Sequence, residues 1–127
     1  MNTAVISVGS NINSHFNIKI AEEIISRELK LIRSSTLIET EPIGFKDQNN
    51  FHNGAFLIET ELDLKEFNAY LKKIETEMGR VKTSNKQGPR IIDLDIIVWN
   101  RKVVDNDVYE RKFLQKIILE LLPNFNL

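Results

Sequence analysis

The sequence predicts an α+β fold: an antiparallel sheet with helices packed on one face, followed by a C-terminal helix. Three observations predict it. Apolar residues switch between a period of two and a period near 3.6 in the order βαββαβ, which suits a sheet layered with helices. Leu64 to Met78 carries a full helix signature with start and stop signals. The run Gly88-Pro89-Arg90-Ile91-Ile92-Asp93-Leu94-Asp95-Ile96-Ile97-Val98-Trp99 is apolar on both faces at its ends, as in a strand covered on both sides. No repeat, low-complexity tract or linker interrupts residues 1–127, so a single domain is expected.

The elements follow in order. Thr3 to Val8 reads as a buried strand ended by Gly9-Ser10-Asn11, a turn with a helix cap. Phe16 to Leu31 reads as a helix, with Ile18, Ala21, Ile25, Leu29 and Ile32 at helical spacing. Ser34 to Thr40 is a β-branched strand of alternating polarity, and Glu41 to Asn50 is a loop carrying Pro42 and Gly44. Phe51 to Leu62 is a second long strand. The helix from Leu64 has Phe67, Leu71, Ile74 and Met78 along one stripe, Asp63 and Glu66 as a capping box, and Gly79 as its stop. Val81 to Gly88 is a polar, partly basic loop, and a last helix runs from about Lys112 to Leu122, before Pro123.

Composition narrows the function. A length of 127 residues supports one core, and 42% hydrophobic with 28% charged residues is ordinary globular material. A net charge of −1 argues against a general nucleic-acid binder. The absence of Cys removes thiolate chemistry and Cys-based zinc sites, and two His, His15 and His52, are too few for a His cage. The apolar run Ala4 to Val8 is too short for a membrane span or a signal peptide, so a cytoplasmic location is expected.

The acid-bearing strand holds the most chemistry. With period-two alternation, Ile92, Leu94, Ile96 and Val98 share one face, and Ile91, Asp93, Asp95, Ile97 and Trp99 share the other. The two carboxylates then sit about 7 Å apart at Cα. Their repulsion is roughly 2 kcal/mol at an effective dielectric near 20. A divalent cation or a pair of arginines would remove that cost, and two oxygen ligands without His or Cys suit Mg²⁺. The structural alternative is an ion-pair network with Arg80 and Arg90. Arg90 follows a fixed Gly-Pro turn and suits bidentate phosphate contact. The loop from Arg80 to Gln87 holds three cations and no acid, which fits a lid over polyphosphate or a plain solvated loop. Asn53 offers a donor beside an acceptor for the amide edge of a heterocycle, and Phe51 lies on the same strand face. His52 alternates to the other face. Arg111-Lys112-Phe113 opens the last helix, where cations can meet an anion.

Taken together these residues resemble the 6-hydroxymethyl-7,8-dihydropterin pyrophosphokinases of folate biosynthesis. The similarity runs through Ser7-Val8-Gly9-Ser10-Asn11, Thr40-Glu41-Pro42-Ile43-Gly44, Asp47 to Asn53, Ile74 to Arg80 and Gly88 to Ile97. The resemblance implies a ferredoxin-like fold and transfer of diphosphate from ATP to the pterin hydroxymethyl group, leaving AMP. It implies that Asp93 and Asp95 hold two Mg²⁺ ions. Asn53 would read the pterin with help from Thr40, Pro42, Ile43 and Gly44, between the rings of Phe51 and Phe113. Arg90 and Arg111 would contact phosphates, Glu75 would help bind nucleotide, and Arg80 and Lys82 would serve at the lid. The partners implied are two small molecules, with no nucleic acid and no membrane, and the expected state is a monomer. Two other readings remain: a catalytically weak pterin- or nucleotide-binding homologue, and a ferredoxin-like interaction module. The family's Pro-His segment before the Arg-x-Phe element has no counterpart here, since residues 96–110 contain neither residue. A thinner nucleotide wall, with weaker ATP binding and loose base discrimination, is the expectation.

Overall fold

A computed structural model describes residues 1–42, 44, 47–79 and 89–127. The elements are β1 (Asn2–Ser10), α1 (Ser14–Glu28), β2 (Lys30–Ser34), β3 (Ile38–Thr40), β4 (Phe51–Thr60), α2 (Leu64–Glu77), β5 (Asp93–Trp99), β6 (Lys102–Val103), α3 (Asp107–Glu110) and α4 (Lys112–Leu121). The sheet order is β2-β4-β1-β5-β6, with β3 also paired to β4, and every pairing is antiparallel. The four long strands with α1 and α2 give the ferredoxin-like arrangement expected from the sequence.

Two cores flank the sheet. On one face, Ile18, Ala21 and Ile25 of α1 and Phe67, Leu71 and Ile74 of α2 pack on Ala4, Ile6, Val8, Phe56, Ile58 and Leu94. On the other, Leu114, Ile117, Ile118 and Leu121 of α4 cover Val5, Ala55, Leu57, Ile97 and Val98. The C-terminal helix thus roofs the face that α1 and α2 leave open, which is why strands β1 and β4 are apolar on both sides. Tyr70 of α2 donates to Glu28 of α1 at 2.8 Å, and burial followed by the Glu28 carboxylate holds its phenol well above the usual tyrosine range.

Local signals fixed α2. Asp63 Oδ1 accepts from the Glu66 N–H at 2.8 Å, and Glu66 Oε1 accepts from the Asp63 N–H at 3.0 Å. Gly79 ends the helix in the left-handed region at φ +93. Four expectations change where tertiary contacts intervene. The first helix stops at Glu28, because Leu31 pairs with Ile58 at the edge of the sheet. The strand expected over Ser34 to Thr40 is two strands, β2 and β3. Between them the Thr36 N–H turns to Glu120 at 2.8 Å rather than to β4. The turn at Asn11 carries no side-chain cap for α1. Asn13 occupies the cap position in a left-handed conformation without such a bond. The facing of β5 changes at its end. Ile6 pairs with Ile96 but Val5 pairs with Val98, so Ile97 is an extra residue in a β-bulge. Past it the alternation inverts: Val98 joins the α4 core and Trp99 joins the α1–α2 core.

Segment 100–110 contributes β6 and α3, two short elements that no apolar periodicity in the sequence marks. Asn100 and Arg101 both have positive φ and turn β5 back into β6. Asn100 also accepts from the Thr3 N–H at 2.8 Å.

The capping box gives a direct stability test. Asp63→Ala is expected to lower unfolding free energy by about 1 kcal/mol. Urea denaturation checks this, and an unchanged midpoint contradicts it.

Candidate active site

Strand β1 is bonded on both sides, and its register lines up the site. Gly9 lies opposite Asn53 of β4 and opposite Asp93 of β5; Ser7 lies opposite Ala55 and Asp95. At the usual strand spacing, Asn53 and Asp93 therefore stand about 9–10 Å apart across one glycine. Side chains on these positions point toward the α4 face, where a cavity of about 290 Å³ opens. Its floor is Ser7 and Gly9, and small residues there leave room for a ligand. Gly9 is small for a reason: a Cβ on it would lie 2.9 Å from Asn53 Oδ1.

The cavity is lined by charged, amide and aromatic side chains together. Asp93, Asp95, Arg90 and Arg111 line it together with Phe51, Asn53, Thr40 and Phe113. Asn53 Nδ2 donates to Thr40 Oγ1 at 2.6 Å, which fixes the amide's orientation. Phe51 begins β4 and Phe113 lies in the first turn of α4, so the rings come from opposite walls. Arg90 is set by its backbone. The Arg90 N–H donates to Asn11 Oδ1 at 2.8 Å, and the Asn11 N–H donates to Arg90 O at 3.1 Å. Asn11 is almost fully buried and also donates to Gln48 Oε1 at 2.7 Å and to Asn49 O at 3.1 Å. One amide thus ties the end of β1, the loop before β4 and the approach to β5 together. The sequence reading gave Asn11 only a turn role.

Residues 5–123 match the model of 7,8-dihydro-6-hydroxymethylpterin-pyrophosphokinase (HPPK). The chain belongs to the HPPK family. The 2-amino-4-hydroxy-6-hydroxymethyldihydropteridine pyrophosphokinase of Haemophilus influenzae is 30% identical to it, over 98% of this chain and 87% of the relative. The enzyme of that name in Bacillus subtilis is 31% identical, over 94% and 78%. The folic acid synthesis protein of Pneumocystis carinii is 37% identical over 91% of this chain but only 17% of its own length. The chain spans about a fifth of the length of such folic acid synthesis proteins.

Most residues singled out from the HPPK resemblance meet in the one cavity. Among the described residues, Glu75, Pro42 and Gly44 are not part of its lining. Glu75 is buried at the edge of β5, where its Oε2 accepts from the Leu94 N–H at 2.6 Å. Pro42 is buried, and Gly44 has φ +81 in the loop after β3. Ile43, Arg80 and Lys82, with the rest of the expected lid, lie outside the described residues. Among the described residues no group of three or more His, Asp or Glu is arranged around a common metal position. Asp93 and Asp95 offer two carboxylates, which matches the small protein share of a Mg²⁺ shell.

Three cavity features escaped the sequence. Asp105 and Asp107 reach the wall from the segment that leads into α3, and Asp105 Oδ1 accepts from the Asp107 N–H at 2.9 Å. The stretch without a Pro-His segment is therefore filled by a short helix anchored on buried Val108. Lys72 of α2 contacts Asp95, its Nζ lying 3.4 Å from Oδ1. Aspartates in a polar run and a lysine on an amphipathic helix carry no local sign of such contacts.

The close approach at Gly9 is testable without any ligand. Gly9→Ala is expected to cost about 1–3 kcal/mol of stability through overpacking. It should also shift the Asn53 side-chain amide signals in NMR spectra. Wild-type stability with unmoved Asn53 signals contradicts the contact.

Proposed function

We propose that this chain transfers diphosphate from ATP to the hydroxymethyl group of 6-hydroxymethyl-7,8-dihydropterin, giving AMP and the pterin diphosphate. The observation that carries the reading is a cavity lined both by aromatic and amide side chains and by acids and arginines. Membership of the HPPK family supports it. Residues 1–127 act in this reading as one domain, a cytoplasmic monomer serving two small molecules, with no nucleic-acid or membrane partner. Among the described residues no helix is long and apolar enough to cross a membrane.

The roles follow from the chemistry of each group. Phe51 and Phe113 stack on the flat pterin, and the oriented Asn53 amide pairs with its amide edge. Arg90 and Arg111 hold phosphate oxygens through charge-assisted bonds. Asp93 and Asp95 are the residues that would hold Mg²⁺, whose positive charge would offset that of the phosphates. In the transfer, the hydroxymethyl oxygen forms a bond to the β-phosphorus and gives up its proton to solvent water. The bond from that phosphorus to the α,β-bridging oxygen breaks, and AMP leaves with the electron pair. Such a step draws its rate from alignment and charge stabilisation, which fits a site of fixed donors and acids.

AMP is the expected nucleotide product. Chromatography of the reaction with ATP and the hydroxymethyl pterin decides it, and ADP as the main product overturns the reading.

Asp93→Asn and Asp95→Asn are each expected to leave the fold intact and to lower turnover by about 10²-fold or more, the typical cost of losing such electrostatic stabilisation. Near-normal turnover of either variant at saturating Mg²⁺ removes the acids from the mechanism.

A further inference from the structure

Leu94 lies between the two acids and turns its N–H and C=O away from β1, toward an edge that β6 does not reach. Two side chains of α2 fill that edge. Glu75 takes the N–H, and Lys72 Nζ donates to the Leu94 carbonyl at 2.9 Å. The same ammonium lies 3.4 Å from Asp95 Oδ1 and 3.5 Å from Glu75 Oε2. Lys72 thus reaches round the strand edge and sets a positive charge against a carboxylate that lines the cavity.

We propose that Lys72 is a positioning residue that balances the charge of Asp95 in the nucleotide-free protein and thereby weakens divalent-cation binding until polyphosphate arrives. The inference rests on the proposed role of Asp93 and Asp95 as the cation ligands. The Lys72 and Asp95 side chains are 42% and 45% exposed, so their pairing adds little to stability. Its effect on a cation is larger. The bond to the Leu94 carbonyl tethers the ammonium, so a divalent ion at Asp95 meets a nearby positive charge. An incoming triphosphate reverses that balance, because its own charges attract both cations. Metal and nucleotide therefore load together, and the free protein does not hold the ion in an unproductive site.

The test is a Mn²⁺ titration of the full chain without nucleotide, read as loss of the free-ion electron paramagnetic resonance signal. Lys72→Met and Lys72→Gln are expected to bind Mn²⁺ more tightly than wild type, on the order of tenfold. Lys72→Arg keeps the charge and should stay near wild type. A non-hydrolysable ATP analogue should shrink the difference between Lys72→Met and wild type. A residue that only braces the α2–β5 contact would not tighten the ion on removal. Equal or weaker Mn²⁺ binding by both neutral variants, with melting temperatures near wild type, overturns the proposal. Asp93→Asn is the separate control. If it binds Mn²⁺ as tightly as wild type, the cation role of the acid pair falls, whatever the Lys72 variants do.

Discussion

Strand β1 is hydrogen-bonded along both edges, and the site depends on that double pairing. The walls that face each other across the cavity come from β4 and β5, which do not pair with each other; their register relative to one another runs through β1. A slip of one residue in either pairing would turn a whole set of side chains to the opposite face. The two cores prevent the slip. Ala4, Ile6 and Val8 are committed to the α1–α2 side and Val5 to the α4 side, so β1 has one setting. Asn53, Gly9 and Asp93 then fall in one row as a matter of register and not of loop geometry.

The bulge at Ile97 reconciles two demands on β5. Near its start, Asp93 and Asp95 must face the cavity while Leu94 faces the helices. Near its end, Trp99 packs beside Phe67 of α2, their ring centres 6.0 Å apart. Strict alternation would place Trp99 on the same face as the acids. One inserted residue allows a polar site and a large aromatic anchor on the same short strand, on opposite faces.

What could be read from the sequence was what neighbouring residues determine. The stripe of α2, its capping box and Gly79 lie within one segment, and the structure agrees with them nearly residue for residue. The acids, Arg90, Asn53, Phe51, Arg111 and Phe113 were legible as residue types in suggestive settings, and they do converge on the cavity. The rest depends on partners distant in the chain. The inverted facing of Val98 and Trp99 requires knowing the register with β1. The break between β2 and β3 requires Glu120, which is 84 positions from Thr36. Lys72 sits among charged residues on a helix surface, and the docking of α2 on the open edge of β5 brings it to Asp95, 23 positions away. Asn11 looked like a turn because its partners, Gln48, Asn49 and Arg90, come from two other segments.

Helix α4 has a double duty with a thermodynamic corollary. Its first turn supplies Phe113 and Leu114 to the cavity, and Leu114, Ile117, Ile118 and Leu121 are four of the eleven buried residues of the second core. A molecule lying against Phe51 and Phe113 together would act as a strap between the sheet and this helix. Ligand occupancy and the seating of α4 are then one linked equilibrium, since whatever binds only the seated state stabilises it. By the same linkage, loosening the helix far from the cavity, at Leu121 for instance, lowers affinity without touching a ligand atom. The last turn of α4 is in this sense a remote part of the pocket.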